Sequence, residues 1–116
     1  MVETTVTDSD TAIAFGSGEV PVLATPRVIA LVEEATVQAL KGHLAEGETS
    51  VGVRVQVEHI SPTPVGADIR AEAHLEKVEG RRLVFKVSAR DDRGLVAAGK
   101  VTRVAVDIER FLEKTQ

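Results

Sequence analysis

The sequence predicts an α+β fold in which a curved antiparallel β-sheet wraps around one long central helix. Three observations carry this. One strongly helical segment stands alone, and four strand-like runs follow it. The later runs are joined by turns too short to hold a crossover helix, so neighbouring strands run antiparallel. The helix also carries an apolar arc too wide to be covered from one side.

In chain order, residues 2–14, VETTVTDSDTAIA, have moderate strand character broken by DSD. FGSGEVP (15–21) is a glycine-containing loop. ATPRVIALVEEATVQALKGHLAEGE reads as the helix, with Thr25 placed as its N-cap and Pro26 at its first helical position. Gly42 or Gly47 ends it. Strands are expected at roughly 51–61, 67–78, 82–90 and 95–107, with EGRR and DDRG as hairpin turns between the last three.

At about 100° per residue, Arg27, Glu34, Gln38 and Lys41 fall on one narrow polar stripe of the helix. Val28, Ile29, Ala30, Leu31, Val32, Ala35, Val37, Ala39 and Leu40 cover most of the remaining circumference. With a single helix in the chain, only the sheet is available to wrap it, which is the hotdog architecture. Such a sheet leaves an edge strand that is costly to leave bare. Pairing two edges across a two-fold axis removes that cost, so a homodimer is expected, with a tetramer as the larger alternative.

Composition narrows the function. The 116 residues suit one domain spanning 1–116, and 43% hydrophobic content is consistent with a real core. A net charge of −4 leaves no basic surplus for nucleic acid. The absence of cysteine excludes disulfides, a thiolate nucleophile and Cys-ligated zinc. It fits a cytoplasmic protein. MVETTVTDSD is acidic and polar, unlike a signal peptide. No apolar run approaches the roughly 18 residues of a membrane span. The three histidines show no metal-ligand spacing, and there is no HExxH, P-loop or GxSxG motif, so neither a metal nor another cofactor is expected.

Polar residues in apolar places are the candidates for chemistry. Glu33 lies among Ile29, Ala30, Val37 and Leu40, off the polar stripe. Burying an unpaired carboxylate is costly, so Glu33 either reaches a groove edge or core hydrogen bond, or is held in a half-buried site for use. In VGVRVQVEHISPTPVG (51–66), Val53, Val55 and Val57 share a strand face, and His59 is the next residue on it. A histidine there is either a satisfied core residue or a proton carrier near neutral pH. Arg103 interrupts the row of Leu95, Ala97, Gly99, Val101 and Ala105, as a structural ion pair or a ligand contact. Thr25 precedes Glu33 by eight residues, just over two turns, beside helix N-terminal N–H groups suited to an oxyanion. His74 is expected to face solvent, and His43 to sit near the helix end.

LATPRVIALVEEATVQAL, TSVGVRVQVEHISPTPVG and VEGRRLVFKVSARD resemble the fluoroacetyl-CoA thioesterase family of hotdog proteins, from about Val22 to Phe111 and almost without gaps. The resemblance implies a hotdog dimer with its active site near the subunit interface. It also implies a catalytic set of Thr25, Glu33 and His59, with Gly52 and Arg103 binding substrate. The family's lid phenylalanines would fall on Gly16 and Glu19. Phe15 is one residue away, and Glu19 does not replace an apolar lid. The resemblance therefore implies acyl-CoA thioester hydrolysis without fluoroacetyl specificity. Glu33 is expected either to attack directly or to act as base on water, His59 to orient the attacking group or protonate the thiolate, and Thr25 to position, with nucleophilic attack disfavoured for want of an adjacent base. The competing classes are a non-catalytic acyl-CoA-binding hotdog module and a hotdog hydratase or dehydratase.

Overall fold

A computed structural model describes residues 1–116. The chain runs through β1 (Val2–Thr5), a 3-10 turn (Asp8–Asp10), α1 (Ala12–Phe15), α2 (Thr25–Ala39), β2 (Glu48–His59), β3 (Asp68–Glu79), β4 (Arg82–Asp91), β5 (Gly94–Asp107) and α3 (Ile108–Glu113). The strands form one antiparallel sheet in the order β1-β3-β4-β5-β2. Val28, Leu31, Val32 and Ala35 of α2 pack with Ile69 and Ala71 of β3, Phe85, Val87 and Ala89 of β4, and Val101 of β5. Each fully buried aliphatic or aromatic side chain contributes about 1.5–3 kcal/mol relative to exposure. This is the hotdog arrangement of helix and sheet.

The two expected hairpins form where glycine allows them. Gly80 adopts φ 60° between β3 and β4, and Gly94 adopts φ 128° at the start of β5. Both values lie in the left-handed region that side chains resist.

Four expectations change in detail. The first 14 residues hold only a four-residue strand, because Asp8–Asp10 closes a 3-10 turn and Thr11 then caps α1. The N-cap of α2 is Ala24, and Thr25 is already helical, so its hydroxyl is free for another partner. The helix ends at Ala39, before either glycine. Its far side is not wrapped by the chain's own sheet: Ala30 and Val37 are exposed, and Glu33 stands between them at helical spacing.

The valine row also bends. Gly52 pairs with Arg103 and Arg54 with Thr102, which leaves Val53 unpaired in a β-bulge. Val55, Val57 and His59 continue opposite Val101, Gly99 and Ala97, whereas Val53 has no partner on β5. A second irregularity, between Ala89 and Arg90 of β4, buries Val96 and leaves Leu95 half-exposed.

The two sheet edges differ. β1 spans four residues, while β2 spans twelve and has β5 as its one neighbour. The long bare edge, with Val53 and Val55 exposed on it, is the feature expected to seek a partner.

Candidate functional site

The sequence-derived candidates gather into two clusters on the inner face, both touching α2. At the helix start, Thr25 Oγ1 lies 2.8 Å from His59 Nδ1. The fold produces this contact because Thr25 occupies the first turn and β2 ends beside it. With Nδ1 as acceptor, the ring's proton sits on Nε2. Nε2 is buried and has no hydrogen-bond partner within the chain. An orphaned buried donor costs about 1–3 kcal/mol, so this atom calls for a partner from outside the chain. A hydroxyl within hydrogen-bond reach of an imidazole is the geometry of an activated nucleophile. His59 therefore stands where a base adjacent to Thr25, which sequence reasoning did not supply, would have to be.

The second cluster lies two turns along the helix. Glu33 Oε2 is 3.6 Å from Arg103 Nη1, with side-chain exposures of 36% and 8%. Arg103 also donates from Nε to Ser50 Oγ at 2.8 Å and from Nη2 to the Ser50 carbonyl at 3.0 Å. Burial lowers the pKa of the Arg103 guanidinium from its ordinary value, and the charge of Glu33 works in the opposite direction. Gly52 faces the carboxylate: a Cβ there would lie 2.6 Å from Glu33 Oε2 and 3.5 Å from Arg103 Nη1. The glycine thus clears the space that the carboxylate fills. Thr36 Oγ1 donates to the Glu33 carbonyl at 2.6 Å, fixing the backbone behind it.

The structure thus joins Thr25 to His59, and Glu33 to Gly52 and Arg103. It does not join the two clusters within one chain. Thr25 and Glu33 are separated by about 12 Å of helix rise. On the sheet, their neighbours' β5 partners, Ala97 and Arg103, are six residues apart, about 20 Å. Ser50, the main anchor of Arg103, went unnoticed in the sequence, where a serine near the start of a strand gives no distinguishing signal.

Surrounding loops tie the helix start in place. Arg27 Nε donates to Asp10 Oδ1 at 2.9 Å. Burial alone would raise the Asp10 pKa, but hydrogen bonds from the Thr7 N–H, Arg27 and the Thr7 hydroxyl, together with the Arg27 charge, leave it lowered. Beyond β2, buried Thr63 donates to Asp91 Oδ2 at 2.9 Å, and the Arg93 guanidinium donates to the Pro62 carbonyl at 3.1 Å. His74 projects from the outer face, as expected, with a 76% exposed side chain.

Comparison with known proteins places this geometry. A family model described as fluoroacetyl-CoA-specific thioesterase matches residues 6–109. A fluoroacetyl-CoA thioesterase from Streptantibioticus cattleyicolor is 37% identical over 95 residues, covering 82% of this chain and 68% of the relative. A solved structure of the fluoroacetyl-CoA thioesterase FlK superposes with a TM-score of 0.93 at 31% identity, covering 98% of this chain and 89% of that one. A hot-dog-like protein from Thermanaerovibrio acidaminovorans superposes with a TM-score of 0.90 at 30% identity, covering 98% and 84%.

Proposed function

The chain belongs to the fluoroacetyl-CoA-specific thioesterase family and hydrolyses acyl-CoA thioesters, and we propose that it does so at a site shared between two copies. Thr25 and His59 come from one subunit, and Glu33, Gly52 and Arg103 from its partner. The observation that carries this reading is the separation of two complementary half-sites in one chain, combined with the bare β2 edge between them.

Two β2 edges aligned antiparallel about a two-fold axis near Gln56 bring Gly52 of one copy towards His59 of the partner subunit. The bulge matters to this alignment. Opposed residues of an antiparallel pair share a face, and Gly52 and His59 share the inner face only because Val53 is unpaired. The dimer would also cover Ala30 and Val37 of α2 and supply surroundings for the orphaned His59 Nε2.

In the proposed reaction, Thr25 Oγ attacks the thioester carbonyl carbon while His59 Nδ1 takes the hydroxyl proton. The tetrahedral oxyanion forms beside the start of α2, where main-chain N–H groups are unpaired. Its collapse breaks the C–S bond, and the CoA thiolate receives the proton from His59. Water then attacks the ester carbon, the C–O bond to Thr25 breaks, and the proton lost by the water returns to the Thr25 oxygen as the free acid leaves. The Glu33 carboxylate, steadied by Arg103 and given room by Gly52, is the base for that water. With Glu19 at a lid position and Phe15 exposed, the acyl group is proposed to be other than fluoroacetyl. A cytoplasmic location is proposed too, supported by the lack of any helix long and apolar enough to cross a membrane.

Subunit mixing tests the shared site. His59→Ala and Glu33→Gln proteins are each expected to be nearly inactive in thiol release from acyl-CoA esters. Refolded together, half of the dimers are mixed and each carries one intact site, so about one quarter of wild-type activity should return. No recovery, with dimers of both kinds shown to form, overturns the shared site. Full activity of either variant alone overturns the residue assignment.

A further inference from the structure

We propose that the nucleotide end of the CoA substrate lies over the outer face of the sheet, with its phosphates held by Lys86, Arg90 and Arg93. This rests on the thioesterase reading and extends it to the half of the substrate remote from the reacting bond.

Three depressions follow one another along the surface. The first lies beside His59 and is lined also by Val22, Ile60, Ser61 and Pro62. The second shares Ser61 and Pro62 with it and adds Asp91, whose carboxylate is engaged by Thr63 and the Arg93 N–H, with Arg93, Gly94 and Leu95 at the β4–β5 turn. The third shares Leu95 and opens into a bowl of about 680 Å³ on the outer face. The small residues Ser88, Ala98 and Gly99 contribute to its lining, with Lys86, Arg90 and Lys100 around them. A track therefore leads from His59 over the end of the sheet to a polar bowl. Along β5 the route runs from Ala97, the partner of His59 on the inner face, back to the turn at Gly94 and then out along the opposite face towards Arg90 and Lys86.

The charges along this track are arranged against their own interest. Lys86 is directly opposite Lys100 on β5 and His74 on β3, and Arg90 is directly opposite Arg70. Like charges in directly opposed cross-strand positions are destabilising. Neighbouring carboxylates relieve only part of this, and Asp92 lies 3.6 Å from Arg70. Glu76 lies 3.4 Å from Lys100, and Glu72 lies 3.7 Å from His74. The side chains of Lys86, Arg90 and Arg93 have no carboxylate partner. Three unneutralised cations thus line one path leading from the His59 end in a chain of net charge −4. A polyanion recognised through its phosphates satisfies them and is steered to the site by them. The pyrophosphate and 3′-phosphate of CoA have that chemistry, and the thiol arm supplies the tether back to His59.

Calorimetric titration of the intact protein with CoA tests this, alongside hydrolysis of an acyl-CoA and of the matching N-acetylcysteamine thioester, which lacks the nucleotide. Lys86→Glu and Arg93→Glu should each weaken CoA binding about tenfold and flatten its salt dependence. Each should lower the preference for the CoA ester over the short thioester by a similar factor, and Lys86→Arg should restore it. Adenosine 3′,5′-bisphosphate should compete with CoA. Unchanged CoA binding in folded variants overturns the proposal, as does an equal loss on both thioesters. If wild type binds CoA through this face yet releases thiol from neither ester, the thioesterase reading fails and the nucleotide site stands. If wild type hydrolyses both esters and the variants leave the preference intact, the nucleotide site fails and the thioesterase stands.

Discussion

At the start of α2 a hydroxyl and an imidazole meet at 2.8 Å on an open face. Two turns later a carboxylate and a guanidinium stand 3.6 Å apart, with the guanidinium almost wholly buried and bonded twice to Ser50. The first pair is built for change. Its hydrogen bond joins a hydroxyl to an imidazole, and the imidazole keeps one nitrogen unsatisfied. The second pair is built for constancy, with Arg103 anchored on the strand and Gly52 clearing the carboxylate's place. One helix thus presents a hydroxyl–imidazole pair and a carboxylate–guanidinium pair, and the proposed dimer brings one of each together.

The comparison breaks most visibly at the reactive pair. Thr25→Ala and His59→Ala should each lower kcat by about 10³-fold, within the range of general-base and nucleophile loss, while Thr25→Ser retains much of the rate. Thiol-release kinetics read this, and mass spectrometry of Thr25→Ala should show no acyl-enzyme.

Glu33→Gln should cost about 10²-fold and, unlike the Thr25 variant, should accumulate acylated protein, because only the water step loses its base. It should also lower Tm by several degrees, since the buried Arg103 loses its counter-charge. The absence of acylated protein under burst conditions would return Glu33 to a positioning role.

Gly52→Ala sharpens the comparison more gently. The added Cβ would press on the far end of the Glu33 side chain, which would have to shift from its place beside Arg103. Activity should fall about tenfold, with a stability change below about 1 kcal/mol, measurable as kcat/KM against urea midpoint.

The smallest effect concerns the tether that holds the helix start. The Asp10 pKa is lowered in the fold, so its contribution to stability is present above its unfolded value and disappears as pH falls through the folded one. Asp10→Asn should therefore be less stable than wild type at neutral pH, and the difference should shrink as the pH falls through the acid range. A thermal-melt series in pH reads it. A gap that persists undiminished in acid would show that the ionised form is not what binds Arg27.

Much of this was legible in the sequence because periodicity reports burial. The helical and two-residue patterns marked Glu33, His59 and Arg103 as polar residues on apolar faces, and EGRR and DDRG fixed two hairpins. The hydrogen bond between Thr25 and His59 was not legible from spacing, since a threonine before proline reads as a cap whichever way its hydroxyl turns; only the family resemblance put the two in one set. The division into two half-sites escaped as well. Helical spacing of Thr25 and Glu33 shows only that they share a side of α2, and the distance between their partners on β2 appears only with the strand's path. Val53 misled for a related reason: alternation in sequence carries no mark of the residue at which a bulge will skip the count.

That skipped count has a consequence for reading related chains. Between Gly52 and His59 the chain advances seven positions, while the β5 ladder facing them, Arg103 to Ala97, advances six. Val53 is slack that the ladder does not use. A chain shortened by one residue at this point would present the same glycine and histidine on the same face. A chain shortened by one residue after Arg54, with no slack left to absorb the change, would turn its histidine outward. The fingerprint of the proposed shared site is therefore a glycine and a histidine six or seven positions apart, and the position of the gap, more than its length, decides whether the two share a face.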